Sequence, residues 1–321
     1  NETIFYAESG GQISDKGSIV GNNFTANVIK SSKVKLGNGV KIFLCSVEIT
    51  SGKLEVGEIV TQNLDLDYRK QICSHHSATH LLHEALRQKL GIHVAQKGSL
   101  VTNQKLRFDF SHSKPIEPKK LQDIEDEVNQ RIFCNEDVTT MIMTPSKAIE
   151  SGAIALFGEK YGDEVRVVSM GKSIEANRNA WSVELCGGTH VKNTSEISTF
   201  KIISETGVSS GVRRIEAITN TAAIDFYNSE LAKIKIISNF LKTESAQVVK
   251  KIEQMIVEHK NINKQLKQLK MNTTTLDKNV SNKEKINGII FEYNIFDEMM
   301  IKELKPTAEN ILKNSDSKIV C

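Results

Sequence analysis

Two histidines on one predicted helix have the spacing of metal ligands. His76 and His80 lie four positions apart in residues 68–90, whose apolar periodicity predicts a helix closed by Gly91. A helix projects residues at this spacing from one face about one turn apart, which suits two imidazole ligands of a transition metal. Position 77 is occupied by Ser77, so the H-E-x-x-H pattern of metalloproteases is not met. A histidine pair satisfied on the surface or in a core is the plain alternative.

A second motif, Cys186-Gly187-Gly188-Thr189-His190, places a thiol and an imidazole around a flexible turn. The two glycines let the backbone fold tightly enough for both side chains to converge. Three imidazoles and one thiolate form a tetrahedral set that suits zinc. The predicted metal ligands are therefore His76, His80, Cys186 and His190, with His75 and His83 as rival ligands and an inert, buried Cys186 thiol as the alternative to ligation.

The composition is that of a soluble globular protein, with 39% hydrophobic and 25% charged residues. The net charge of +3 permits nucleic-acid binding without demanding it. Five scattered cysteines without a C-x-x-C pattern argue against a disulfide framework and for reduced thiols. No apolar run approaches the roughly 18 residues that span a bilayer, and no charged-then-apolar leader opens the chain. We therefore expect a cytoplasmic protein without a membrane partner.

The helices and strands that the sequence predicts around the candidate metal ligands indicate an α+β fold. Residues 1–67 are rich in Gly, Asn, Ser and alternating β-branched residues, which favours a small β-barrel-like subdomain or antiparallel sheet. Residues 68–220 mix both element types, which predicts an α/β core with an antiparallel sheet. After residue 90 the pattern predicts strands at 98–101, 105–111, 138–144, 164–170, 180–185, 199–204 and 212–219, and helices at 118–133 and 146–154.

Beyond residue 221 the pattern changes to a heptad repeat. Apolar residues recur at steps of four and three from Val248 to Leu269, and upstream from Leu231, which predicts a long helical hairpin or coiled coil over 221–284. Its lysines are interpreted as a solvated face, with an RNA-facing surface as the alternative. Residues 285–321 are interpreted as a partial α/β domain with strand 289–293, helix 297–313 and strand 317–321. Since the chain opens without Met and stops in a strand, we expect a fragment.

Several motifs resemble the editing domain of alanyl-tRNA synthetases. The metal motifs are His75-His76-Ser77-Ala78-Thr79-His80-Leu81-Leu82 and Cys186-Gly187-Gly188-Thr189-His190-Val191. Phe5-Tyr6-Ala7-Glu8-Ser9-Gly10-Gly11-Gln12 resembles the glycine-rich opening of that domain. Residues 96–100 and 107–112 resemble its central strands, and residues 211–217 its closing segment. The helical seam and terminal strand–helix–strand resemble the coiled-coil linker and the start of a C-terminal tRNA-binding, dimerising domain.

This resemblance implies hydrolysis of seryl- or glycyl-tRNA(Ala) at a site with one zinc ion. It also implies tRNA(Ala) as the partner and allows a homodimer through the C-terminal region. The full protein would attach alanine to tRNA(Ala) with ATP and Mg²⁺ in an aminoacylation domain, which nothing in this sequence resembles. The implied parts are a β-rich N-terminal editing subdomain (1–67), a zinc-binding editing core (68–220), a helical linker (221–284) and a truncated C-terminal domain (285–321). The alternatives are a freestanding editing deacylase and a non-catalytic, zinc-stabilised RNA-binding module.

Two polar residues are candidates for catalysis near the amino acid. Hydrogen bonds to the serine hydroxyl would exclude alanine, which would leave buried polar groups unpaired. Thr79 and Gln96 are the candidates for these bonds. The alternatives are a Thr79 that faces the helix backbone or core and a Gln96 solvated at a strand end. Because four protein ligands fill a tetrahedral shell, the sequence leaves open whether zinc is catalytic or organises the site.

Five residues are candidates for binding tRNA. Gly10 and Gly11 would allow a close backbone approach to the terminal adenosine or the ester, with an ordinary turn as the alternative. Arg213 and Arg214 alternate on a strand and so face opposite sides, where one would contact phosphate and the other would pair with an acid. Lys97 is an exposed candidate for a phosphate contact.

Overall fold

A computed structural model of the chain describes residues 2–37, 40–154, 162–171, 180–276 and 282–293, and positions 301, 305, 306, 308 and 309. The chain divides into two compact units, Asn1–Ser229 and Glu230–Cys321. Both predicted element types are present, since the described residues form antiparallel sheets and five α-helices. Within these ranges, none of the helices combines the length and apolarity that a membrane crossing requires.

The first sheet is antiparallel and open. Its strands are β1 (Gly17–Val20), β2 (Phe24–Lys35), β3 (Lys41–Gly52) and β4 (Thr61–Leu64), in the order β3-β2-β1-β4. Strands β3 and β4 are the two edges and do not pair, so the described residues form no closed barrel and the barrel-like subdomain is not confirmed. The predicted alternative, an antiparallel sheet, is what forms.

Helix α1 (Leu66–Leu90) carries the histidine motif. The side chain of Asp65 caps its first turn by accepting a hydrogen bond from the Tyr68 N–H. At the other end, the Gly91 N–H donates to the Arg87 carbonyl, which confirms the predicted C-cap. Every residue from Ile72 to Leu86 is buried, so the middle of α1 is covered on all sides rather than along one stripe.

The rest of the first unit surrounds α1. Helix α2 (Pro118–Phe133) coincides with the predicted helix, whereas α3 (Pro145–Glu150) ends before the predicted Ile154. The remaining strands are β5 (Gln96–Val101), β6 (Leu106–Ser111), β7 (Val138–Met143), β8 (Val165–Met170), β9 (Ser182–Leu185), β10 (Phe200–Ser209) and β11 (Val212–Thr219). They form one sheet in the order β10-β11-β6-β5 and another in the order β7-β8-β9, both antiparallel.

The main core joins α1, α2 and these two sheets. Its largest fully buried side chains include Trp181, Phe108, Phe110 and Phe200. Burial of this much apolar surface is the main term that stabilises the first unit. The histidines of α1 are thereby held in a close-packed frame.

Helix α4 (Asn220–Phe240) crosses the boundary between the units, and α5 (Val248–Leu276) lies in the second. The two helices are separated after Leu241: Lys242 has a positive φ of 49°, and a 3-10 turn covers Ser245–Gln247. On α5 the seam residues Ile252 and Leu266 are 39% and 49% exposed. The predicted coiled-coil hairpin is therefore not confirmed.

The second unit also contains a strand pair, β12 (Asn282–Ile286) with β13 (Ile289–Tyr293). Strand β13 coincides with the predicted strand, whereas β12 was not predicted. The predicted helix at 297–313 lies mostly outside the described residues, of which 301, 305, 306, 308 and 309 are helical. The predicted strand at 317–321 lies wholly outside them.

Candidate metal centre

The four predicted ligands converge at one point. The ligand atoms of His76, His80, Cys186 and His190 all lie within 4.8 Å of one another. The Cys186 sulfur is 3.3 Å from Nε2 of His76 and 3.3 Å from Nε2 of His190. Two side chains come from the buried middle of α1 and two from the turn after β9. This group can hold one metal ion and is compatible with zinc.

The double-glycine turn is shaped by its contact with α1. A Cβ atom at Gly188 would lie 2.1 Å from Cε1 of His76, so no larger residue fits there without moving the ligand. A Cβ at Gly187 would meet nothing within 4 Å. Arg166 on β8 donates hydrogen bonds to the carbonyls of Cys186 and Gly188 at 3.0 Å and 2.6 Å, which fixes the turn.

Each ligating imidazole has a partner on its far side. Nδ1 of His76 lies 2.7 Å from the Gln12 side-chain oxygen, and Nδ1 of His190 lies 3.1 Å from the Ser77 hydroxyl. Nδ1 of His80 lies 2.8 Å from Glu184. Metal-ligating histidines commonly use the second nitrogen in this way, because such a contact fixes the ring and its tautomer.

One buried nitrogen supports a metal at this point. Nε2 of His80 is buried and lacks a hydrogen-bond partner among the described residues. An orphaned buried nitrogen costs free energy unless something binds it. A cation bound by this group would give Nε2 of His80 a partner, so the donor set fits a metal.

Burial and charge shift the pKa values of the cluster strongly. Burial alone would raise the pKa of the Cys186 thiol, but the imidazoles of His76 and His80 lower it to about 2. Burial alone would lower the pKa of His80, but Glu184 and the Cys186 thiolate raise it to about 10. Burial lowers the pKa of His190 to about 3. A ligating imidazole is neutral and a ligating cysteine is a thiolate, so the lowered pKa of Cys186 favours metal binding and the raised pKa of His80 opposes it.

Glu184 is the buried carboxylate of the site. Burial alone would raise its pKa, but His80 and His83 lower it well below the usual range. Its two oxygens lie 2.8 Å from Nδ1 of His80 and 3.0 Å from Nδ1 of His83. His83 therefore contacts Glu184 and lies outside the ligand group, contrary to its rival assignment.

His75 is also outside the ligand group. Its Nε2 accepts a hydrogen bond from the Thr219 N–H at 3.1 Å on β11, away from the Cys186 turn. Burial lowers its pKa to about 4, so this imidazole is neutral. His75 thus satisfies a backbone donor in the core.

The two proposed catalytic side chains occupy different environments. The Thr79 hydroxyl donates to the His75 carbonyl at 2.8 Å, which corresponds to the alternative of facing the helix backbone. Gln96 is half-buried at the start of β5, where it pairs with Phe110. While it keeps this helix contact, the Thr79 hydroxyl can accept a hydrogen bond from a substrate hydroxyl but cannot donate one.

The glycine pair belongs to a tight turn against β5. Both glycines have a positive φ, 60° at Gly10 and 85° at Gly11, which favours glycine. A Cβ at Gly11 would lie 2.4 Å from the Ser99 carbonyl oxygen, whereas one at Gly10 would meet nothing within 4 Å. The close packing of the turn against Ser99 is enough to explain why residue 11 is a glycine. The side of the turn at Gly10 is open.

Both candidate arginines pair with acids. Arg213 forms an ion pair with Glu205, and Arg214 donates two hydrogen bonds to Asp109 at 2.7 Å and 2.8 Å. The sequence predicted an acid partner for one arginine and a phosphate contact for the other. Lys97 is exposed, at an irregularity in the pairing of β5 with β6.

Sequence reasoning missed the residues that support the ligands. Gln12 ends a motif that was singled out for its glycines, and Glu184 precedes Cys186 by two positions. Tyr6, in the same opening motif, has a pKa raised to about 12 by burial and then by the Cys186 thiolate. The one available signal was the position of Glu184 two residues before Cys186, because the burial of these residues is not visible in a single sequence.

Two family models match the chain. The family described as the threonyl and alanyl tRNA synthetase second additional domain matches residues 165–216. The family described as class II (A) tRNA synthetases matches residues 1–68. Both matches are consistent with an alanyl-tRNA synthetase. The resemblance to alanyl-tRNA synthetase is thereby confirmed, and it supports an aminoacyl-tRNA synthetase-related activity with tRNA as the partner.

The metal centre draws on both matched segments. Gln12 lies in the first, and Cys186, His190 and Glu184 lie in the second. His76 itself lies between the two. The four metal ligands and their supporting residues therefore form one site to which both matched segments contribute.

Proposed function

We propose that this site hydrolyses the ester bond of tRNA(Ala) that carries serine or glycine. The observation that carries the proposal is the convergence of three imidazoles and one thiolate within 4.8 Å. The match to the threonyl and alanyl tRNA synthetase second additional domain supports it, because that match includes Cys186 and His190. The role in editing and the identity of the metal as zinc are part of the proposal.

The need for such a site follows from the limits of binding discrimination. A pocket sized for alanine cannot exclude glycine and discriminates weakly against serine, which only adds a hydroxyl. A second site that hydrogen-bonds this hydroxyl rejects alanine, since alanine leaves the polar groups of the site unpaired. Thr79 and Gln96 are proposed to supply these bonds.

The residues of the chain position the reactants. When bound, zinc polarises an ester carbonyl or lowers the pKa of a bound water. Gln12, Ser77 and Glu184 orient the imidazoles, so the aminoacyl end meets a fixed set of groups. A nearby water attacks the ester carbonyl, the acyl–oxygen bond to the ribose breaks, the proton lost by the water passes to the ribose oxygen, and the free amino acid and the uncharged tRNA leave. Gly10 lies on the open side of its turn and is proposed to face the terminal adenosine.

Further assignments concern the whole protein. Gly11, Lys97, Arg213 and Arg214 are proposed as tRNA contacts, the arginines in addition to their acid partners. The full-length protein is proposed to attach alanine to tRNA(Ala) with ATP and Mg²⁺, to act in the cytoplasm and to form a homodimer through the C-terminal region.

A deacylation assay tests the proposal. The 321-residue chain is expected to turn over seryl-tRNA(Ala) repeatedly and to leave alanyl-tRNA(Ala) intact. A chelator and the variant Cys186→Ala should both abolish turnover, whereas Cys134→Ala, which alters an exposed thiol, should not. Binding of tRNA without turnover would favour the zinc-stabilised RNA-binding module. A His80→Ala variant that kept zinc and full activity would refute the role of the cluster.

A further inference from the structure

The outer half of the β2–β3 hairpin carries a concentrated positive charge. From Lys30 to Val47 the sequence contains four lysines and no acidic residue, although the whole chain has a net charge of only +3. Lys30 forms an ion pair with Glu8 at 2.7 Å. The other three lysines of this segment are exposed: Lys33, Lys35 and Lys41. Their charge has no acid within the segment to balance it.

The strand register brings these lysines to one face. Lys33 is paired with Phe43, and Lys35 with Lys41. Side chains two positions apart along a strand point the same way, so all four share one side of the hairpin. Nζ of Lys33 lies 5.4 Å from the centroid of the Phe43 ring, which is 50% exposed. We call these four residues the lysine face.

The lysine face continues the side of the hairpin that adjoins the opening loop. Ser31 lies two residues before Lys33 and is buried, and its carbonyl accepts a hydrogen bond from the Glu8 N–H at 3.0 Å. The same loop continues to Gln12, which contacts the metal cluster. From Ser31 the strand extends the face outward by about 13 Å to Lys35.

We propose that the lysine face binds the phosphate backbone of tRNA, with Phe43 stacking against a nucleotide. Lysines bind phosphates as point charges, and such contacts position a nucleic acid without reading its sequence. An exposed aromatic ring among them provides a stacking surface that every base can use. The opposite side, with Val34 and Leu44, carries only Lys30, whose charge is paired with Glu8, so it suits a phosphate backbone less well. The inference rests on the proposed function only in taking tRNA as the ligand.

A salt titration of tRNA binding tests the inference. Binding of uncharged tRNA(Ala) to the 321-residue chain is measured by fluorescence anisotropy over a range of KCl concentrations. The triple variant Lys33→Gln, Lys35→Gln, Lys41→Gln is expected to bind about tenfold more weakly at low salt, with the slope of log K against log salt reduced by about 2. Phe43→Ala should weaken binding several-fold without changing that slope.

Matched variants separate this surface from overall charge. Lys114→Gln, Lys119→Gln, Lys120→Gln removes the same charge from exposed lysines elsewhere in the first unit and should change affinity less than twofold. Equal losses of tRNA affinity in the two triple variants would overturn the proposal. The proposal would also be overturned if the lysine-face variant kept its affinity for tRNA and the double variant Val34→Ser, Leu44→Ser lost it. The apolar side would then be the docking surface. Circular dichroism and zinc content establish that each variant is folded.

The outcome is independent of hydrolysis, because uncharged tRNA has no ester to cleave. Binding that depends on the lysine face without turnover of seryl-tRNA(Ala) would refute the proposed function and leave this inference standing. Normal turnover of seryl-tRNA(Ala), combined with tRNA binding that does not depend on the lysine face, would refute this inference and leave the proposed function standing.

Discussion

The side-chain amide of Gln12 fixes the tautomer of His76. Its oxygen accepts a hydrogen bond from the Thr189 N–H at 2.9 Å, which identifies the atom as oxygen because a backbone N–H can only donate. The same oxygen lies 2.7 Å from Nδ1 of His76, so that nitrogen must carry the proton. In the neutral ring, which is the form that binds a metal, Nε2 of His76 then presents its lone pair to the cluster, 3.3 Å from the Cys186 sulfur. One buried amide thus joins the opening loop, α1 and the glycine turn.

Removal of this amide should weaken metal binding. Gln12→Ala leaves Nδ1 of His76 and the Thr189 N–H without their shared acceptor, and loss of such outer contacts typically costs about 10- to 100-fold in metal affinity. Competition with a chromophoric zinc chelator measures this change. The exposed Gln104→Ala serves as the control and should match the wild type. Equal affinities for Gln12→Ala and the wild type would contradict the assigned role.

The two glycines of the turn should respond very differently to a methyl group. In Gly188→Ala the new Cβ would lie 2.1 Å from the His76 ring, so a ligand must move and zinc content should fall sharply. In Gly187→Ala the methyl group meets nothing within 4 Å, so zinc content should stay near one ion per chain. Elemental analysis of the purified variants compares them. Similar zinc contents in both variants would show that the turn tolerates the change.

Loss of Glu184 should affect both stability and metal binding. Glu184→Ala leaves Nδ1 of His83 and of His80 without their carboxylate partner in a buried region. Each unsatisfied buried group costs about 1–3 kcal/mol, so the loss of both contacts corresponds to a fall in melting temperature of about 5–20 °C for a unit of this size. Thermal unfolding followed by circular dichroism tests this. The control Glu196→Ala, which alters an exposed residue, should have the melting temperature of the wild type. An unchanged melting temperature in Glu184→Ala would refute the argument.

The neutral His75 should make the free energy of unfolding depend on pH. Burial lowers its pKa from 6.5 to about 4, so between these values the unfolded chain binds a proton that the folded chain does not. The free energy of unfolding therefore falls as pH drops through this window, by up to about 3 kcal/mol from this residue.

The variant His75→Gln tests this dependence, because glutamine offers the Thr219 N–H an acceptor without titrating. Urea unfolding of the metal-free chain, at about pH 7 and about pH 4.5, gives the change for each protein. Metal-free protein is used so that ligand protonation releases no metal. A variant with the same pH dependence as the wild type would contradict the assignment to His75.

The part of the site that was predictable from sequence rests on local spacing. His76 and His80 meet because a helix repeats every 3.6 residues, and Cys186 and His190 meet because glycines permit a tight turn. The bounds of α2 and β11 followed from equally local signals. Such signals act within a few residues, so a single sequence displays them.

The rest depends on contacts between distant parts of the chain. Gln12 is 64 positions from His76, and no periodicity connects the two. An alternating strand pattern is the same in an open sheet and in a barrel, so it could not tell that β3 and β4 remain edges. Likewise, nothing local indicates that the Thr79 hydroxyl donates to its own helix.

The positions of the ligands along the chain have a consequence for how the protein is made. Cys186 and His76 are 110 positions apart in the chain. An ion bound by both residues would therefore close a long loop and link α1 to the later strands. During synthesis α1 leaves the ribosome well before His190 does. The histidines of α1 can share a metal ion with Cys186 and His190 only after the second half of the unit has been synthesised, so any binding by all four ligands is a late event in the assembly of the first unit.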